Sequence, residues 1–121
     1  MSLQSFDGKK YVSVATYRKN GEKVPTPTWF VLGQNHLYVW TEAESGKVRR
    51  LRRNPKLAIA PCKMSGSLIG PYLDAVATIA PDDSRADLQM AFKKKYGLTL
   101  ALSRLFSRSR AAKRVFLDIS P

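Results

Sequence analysis

Apolar and polar residues alternate over 11–18, YVSVATYR, and the β-branched and aromatic content of that run predicts a strand. Lys19-Asn20-Gly21-Glu22 follows as a turn, with Asn-Gly offering the positive-φ positions of a hairpin. The alternation resumes over 24–32, pauses at Gly33-Gln34-Asn35, and returns over 36–41. Three strands joined by turns this short predict an antiparallel meander. The period then lengthens. Residues 45–53 predict a short helix, with Ser45 as N-cap, Val48 and Leu51 on one face, and Asn54-Pro55 as the stop. Residues 57–62 read as a strand, Ser65-Gly66 as a turn, and 68–80 as a longer strand that Gly70-Pro71 interrupts. Ser84 with Asp87 forms a capping pair for a helix to about Tyr96, striped by Leu88, Phe92 and Tyr96 and ended by Gly97. A second helix carries Leu98, Ala101, Leu102, Leu105 and Phe106 at helical spacing, and 115–119 closes as a strand.

About six strands with late helices predict a mainly β, loosely α+β architecture: one domain over 1–121, built as a small split antiparallel barrel. An open sheet with helices on one face is the competing arrangement. No apolar run approaches the roughly 18 residues of a membrane span, and the first ten residues show no apolar leader, so a cytoplasmic protein is expected. One cysteine, Cys62, excludes an internal disulfide and a cysteine-based zinc site. With His36 as the only histidine, no metal site is expected.

Charge changes the picture more than composition does. Twenty-one Lys and Arg stand against nine Asp and Glu, a net charge of +12. Residues 47–56 hold six basic side chains and 93–114 hold eight, with no acid in either window. Such a surface attracts polyanions: nucleic acid, an anionic membrane, or a multiply charged small molecule. A small basic barrel with five Tyr and two Trp is a candidate single-stranded nucleic-acid binder, although no RNP-like or GXXG motif is present. The apolar stripe of residues 98–110 against Arg104, Arg108 and Arg110 could lie on an anionic membrane or pack in the core.

The stretch VPTPTWF, 24–30, has strand character yet contains Pro25 and Pro27. Alternate residues of a strand point their N–H groups to the same edge, so one edge here lacks two successive donors. Thr26, Thr28 and Phe30 face one way; Pro25, Pro27 and Trp29 face the other. Two readings stand side by side: protection of an edge strand against pairing, and a rigid apolar wall beside a flat ligand. Thr41 to Pro55, TEAESGKVRRLRRNP, supplies a second element. A helix mouth with Lys47 in its first turn, Arg50 one turn on, and the hydroxyls of Thr41 and Ser45 makes a candidate phosphate cradle. A solvated basic helix with an ordinary serine cap is the alternative.

These stretches in order, ATYRKNGEKVPTPTWF, LYVWTEAESGKVRRLRRNPKLAIAPC and KKYGLTLALSRLFSR, resemble the pyridoxamine 5'-phosphate oxidase-like split β-barrel flavoproteins. The branch of coenzyme F420-dependent oxidoreductases is the one they look most like. The resemblance implies a homodimer with a cofactor in each of two interface grooves. It implies that Thr41, Ser45, Lys47 and Arg50 hold the cofactor phosphate, that Val24, Pro25, Thr26 and Pro27 back the ring, and that Trp29 and Trp40 help line the groove. It implies an oxidoreductase passing a hydride between F420, or FMN as the alternative, and a small conjugated organic acceptor such as a quinone or enone. The cationic track 49–53 with Lys56 and Lys93, Lys94 and Lys95 suits the longer anionic tail of F420. The substrate-binding arginine and histidine motifs of the vitamin-B6 oxidases are missing from the tail RAAKRVFLDIS, so oxidation of that vitamin is not expected. No catalytic residue is assigned; Tyr72 and Tyr17 are candidate proton donors by residue type. A non-enzymatic flavin- or haem-binding barrel is the remaining alternative.

Overall fold

The computed structural model describes residues 3–102 and 113–121. After a 3-10 turn at Leu3–Phe6 come β1 (Tyr11–Tyr17), β2 (Lys23–Trp29), β3 (Val31–Gly33), β4 (His36–Glu42), α1 (Gly46–Arg53), β5 (Lys56–Cys62), β6 (Leu73–Pro81), α2 (Ala86–Leu102) and β7 (Arg114–Ser120). All pairs are antiparallel, in the order β2-β1-β5-β6-β7-β4-β3. The two edge strands, β2 and β3, are consecutive in sequence and separated by Phe30 alone. The chain therefore joins the ends of the curled sheet where no ladder does, which is the split of the barrel. The inward face holds a core of Val12, Val14, Leu37, Val39, Leu57, Ile59, Leu117 and Ile119, closed at one end by Val48 and Leu51 of α1. On the outer face, Trp29, Val31, Tyr38, Trp40 and Phe116 are covered by Leu88, Phe92 and Tyr96 of α2.

The long second strand expected over 24–32 is split at Phe30, because β2 pairs with β1 and β3 with β4. A residue between two ladders needs other partners for its backbone. Phe30 N–H donates to Tyr96 Oη at 2.9 Å, and Phe30 O accepts from Lys95 Nζ at 2.8 Å. The Tyr96 hydroxyl lies 2.8 Å from both Phe30 O and Lys10 O, so α2 ties the joint to the start of β1. Burial holds the Lys95 ammonium down at about 8, against its usual 10.5, with Asp7 pulling the other way. Between those values the folded chain has lost the proton and the unfolded chain has not, so this group adds stability as pH rises. Wild type is expected to gain stability relative to Lys95→Met from about pH 8 towards 10.5, with a flat difference below 8, in urea unfolding.

Three local expectations are corrected. In the β1–β2 turn only Gly21 has positive φ; Asn20 instead accepts Glu22 N–H at 3.0 Å within a five-residue connection. Ser84 does not cap α2: its hydroxyl donates to Pro81 O at 2.6 Å in a separate 3-10 turn, and Asp87 pairs with Arg85. The strand expected over 68–80 is interrupted at Gly70-Pro71 as expected, but its ladder resumes only at Leu73, which leaves Leu68 as an isolated bridge to Cys62. Gly97 breaks α2 with φ 53 as expected, and helical backbone continues to Leu102. The remainder of the second expected helix lies outside the described residues. Among the described residues seven strands form, one more than expected, since the broken second strand counts twice.

Candidate functional site

Among the described residues β2 is an edge strand, paired with β1 alone. Because proline has no N–H, the ladder runs through Val24, Thr26 and Thr28, opposite Thr16, Val14 and Val12. Pro25 and Pro27 then face the open edge with carbonyl acceptors and no donors. Their rings are exposed on the outer face, whereas Thr28 is buried and Val24 and Thr26 are half-buried on the inner side. Something flat against this strand meets its acceptor-only edge.

α1 begins where the chain leaves β4. Ser45 caps it, its Oγ accepting Val48 N–H at 3.4 Å. The amides of Gly46 and Lys47 are the remaining donors of the first turn, at the positive end of the helix dipole. Arg50 folds back along the helix: a Cβ on Gly46 would stand 3.1 Å from its Nη1. Its Nε donates to Thr16 Oγ1 at 2.6 Å. Thr16 is fully buried and sits opposite Val24, so Arg50 is held one strand away from the segment 24–27. Arg53 donates to Tyr17 O at 3.0 Å from the same helix.

The cluster is electrostatically unbalanced. Burial lowers the pKa of Lys47 below the usual lysine range, Arg50 lowers it further, and Glu42 partly opposes them. Arg50 is lowered first by burial and then by Arg18 and Arg53. Among the described residues the ion pairs are His36–Asp118 and Arg85–Asp87, so no carboxylate salt-bridges these cations. Converging cations, free amides and a glycine that leaves room for the guanidinium fit a phosphate.

The structure thus brings Ser45, Lys47 and Arg50 together and links them to Val24 through Thr16. Thr41 lies on β4 opposite Val115, four residues before the cap and outside this hydrogen-bonded set. Trp29 and Trp40 do not join it. Trp29 stacks on Tyr96 at 4.6 Å, and Trp40 packs on Phe92 and Phe116 while donating to Asp82 at 3.1 Å. The expected cationic track is also shortened. Lys95 is anchored beside the start of β1 and Arg53 beside its end, about 20 Å apart at ~3.3 Å per residue, so Lys93, Lys94 and Lys95 belong to the other end of the barrel.

Sequence reasoning missed Thr16, which reads as one more β-branched strand residue, and Gly46, whose role depends on where Arg50 folds. Of the two tyrosines, Tyr72 lies nearer the proline edge. Its hydroxyl is 3.1 Å from Ser13 Oγ, Ser13 is opposite Pro27, and Lys23 Nζ lies 4.7 Å from its ring centre. Tyr17 instead lines a cleft of about 670 Å³ with Asn54, Lys56, Asp74 and Val76. The cleft is on the β5–β6 side of β1 and the proline edge is on the other, so one copy does not merge them into one groove.

Residues 3–121 match the family model for pyridoxamine 5'-phosphate oxidase, and the chain belongs to that family. Its fold is shared with an F420 reductase (21% identity, TM-score 0.67, covering 98% of this chain and 90% of that one). It is shared with HutZ, the haem storage protein of Vibrio cholerae (17% identity, TM-score 0.69, 98% and 85% covered). A pyridoxamine 5'-phosphate oxidase-related, FMN-binding protein of Nostoc punctiforme is similar at 18% identity and TM-score 0.58, with 98% and 73% covered. No curated protein matches the sequence.

Proposed function

We propose that the protein is a homodimeric oxidoreductase using F420, with FMN as the alternative cofactor, to move a hydride to or from a small conjugated organic acceptor in the cytoplasm. The observation that carries this reading is the bond from Arg50 Nε to Thr16 Oγ1, which ties the cationic mouth of α1 to β1, the strand that pairs with the one bearing Pro25 and Pro27. Lys47, Arg50, Ser45 and the Gly46 and Lys47 amides would hold the phosphate, with Thr41 behind them. Val24, Pro25, Thr26 and Pro27 would back the ring, the two proline carbonyls accepting from its N–H. The bound ring supplies the hydride chemistry; the chain supplies placement, charge and exclusion of water. The exposed proline edge leaves the far side of a ring open, so a second copy would complete the groove. Arg53 and Lys56 continue the charge past α1, which favours the longer anionic tail of F420. Tyr72, beside the proline edge, is the better placed proton donor.

A second reading, storage of a flavin or haem without turnover, is supported by the likeness to the haem storage protein. Nucleic-acid binding is disfavoured: Tyr38, Trp29 and Trp40 pack under α2 and present no stacking platform. Parallel titration of FMN and F420 into the purified protein, followed by flavin absorbance and deazaflavin fluorescence, tests the reading. Saturable binding of one of them is expected, with F420 the tighter. Failure of both to bind would remove the reading, and binding with no reduction of any enone or quinone would leave storage.

A further inference from the structure

At the end of the barrel away from α1, the chain between β5 and β6 makes a projecting hairpin. Lys63 N–H donates to Ser67 O at 2.9 Å, Gly66 turns with φ 95, and Ile69 N–H returns to Pro61 O at 2.8 Å. Three large apolar side chains on this short segment face solvent: Met64 is 72% exposed, Leu68 47% and Ile69 50%. Lysines surround it. Tyr11 lies opposite Cys62, which sets Lys10 beside Lys63, with Lys9 next to it. Tyr96 reaches Lys10 O, which brings Lys94 and Lys95 of α2 to the same end. Asp7 is the carboxylate that faces Lys95 there.

Exposed apolar side chains in a cationic frame call for a partner that offers both an anionic surface and an apolar phase. Another copy of the chain meeting this patch symmetrically would set the lysines against their own image, which like charges oppose. A nucleic acid would ask for displayed aromatic rings, whereas the exposed large hydrophobics among the described residues are all aliphatic or Met. No helix among the described residues is long and apolar enough to cross a membrane, so the contact would be peripheral. We propose that Met64, Leu68 and Ile69 insert into the interface of an anionic lipid bilayer while Lys9, Lys10, Lys63 and Lys94 meet its headgroups. The hairpin also borders the proline edge: a Cβ on Gly66 would lie 3.9 Å from the Pro27 ring. Docking would hold that edge close to the lipid surface. The inference does not depend on any cofactor, since α1 and its cations lie at the opposite end.

Sedimentation of the full chain with sucrose-loaded vesicles tests it. Phosphatidylcholine vesicles containing phosphatidylglycerol should bind at least tenfold more tightly than phosphatidylcholine alone, and the difference should shrink as salt rises. The triple variant M64S/L68S/I69S, changed at exposed positions, should keep its thermal unfolding midpoint and lose at least tenfold in binding to the anionic vesicles. K10E/K63E should lose a comparable factor. Equal binding to both vesicle types, or full binding by the triple variant, would overturn the proposal. So would a change of oligomeric state in the triple variant, by light scattering, with vesicle binding intact.

Discussion

Lys47→Ala is expected to weaken binding of F420 or FMN by about 1–3 kcal/mol, roughly 5- to 150-fold in Kd, in the titration that measures it. The same substitution should leave the protein without ligand as stable as before, or more stable. Burial already lowers the Lys47 pKa, which means the folded chain carries a charge it would shed more readily than an exposed lysine does. Removing that charge removes a desolvation cost, and Arg50 loses a repulsive neighbour. A purely structural lysine would show the opposite sign, with lower stability and unchanged affinity. Binding should also fall off at a pH below the ordinary lysine range, because the Lys47 ammonium proposed to meet the phosphate loses its proton early. Arg50→Lys makes a useful companion, since it keeps the charge but not the Nε bond to Thr16.

Phe92→Ala is expected to destabilise the fold by about 3–5 kcal/mol, lowering the thermal midpoint by more than about 10 °C. Phe92 is buried, and its ring meets Trp40 at 5.7 Å, Tyr96 at 5.9 Å and Phe116 at 6.0 Å. Truncation would leave a cavity under α2, where stacked rings cannot collapse without moving the helix. The consequence reaches beyond α2, because Tyr96 and Lys95 hold the Phe30 joint from the next turn. Met90→Ala on the exposed side of the same helix should change stability by no more than about 0.5 kcal/mol. Urea unfolding of the two variants, with tryptophan emission reporting the surroundings of Trp29 and Trp40, separates the loss of packing from a general effect of helix substitution.

Local pattern carried much of this protein. The alternation in YVSVATYR and HLYVWT, the Ser45 cap, the Asn54-Pro55 stop and the Gly97 break each act within a few residues, where backbone sterics and side-chain period decide the outcome. The same holds for Leu88, Phe92 and Tyr96, whose helical spacing announces a buried stripe whatever covers it. Ser84 misled because an Asp-Asp-Ser segment after proline can satisfy itself in a 3-10 turn, and local sequence does not rank that against a cap.

Pairing partners were out of reach of local pattern. Pro25 and Pro27 announce a strand edge without donors, but the order of seven strands makes that edge an open one. Phe30 looks like the next strand residue until two ladders end on either side of it and Tyr96 and Lys95 take its backbone. Two runs of basic residues look alike along the chain, yet folding sends 47–53 to one end of β1 and 93–95 to the other. Residue type and period thus determined the elements and the chemistry available to them. Only the tertiary structure decided which chemistry meets, because a contact such as Arg50 to Thr16 spans 34 residues and is formed by the closing of the barrel.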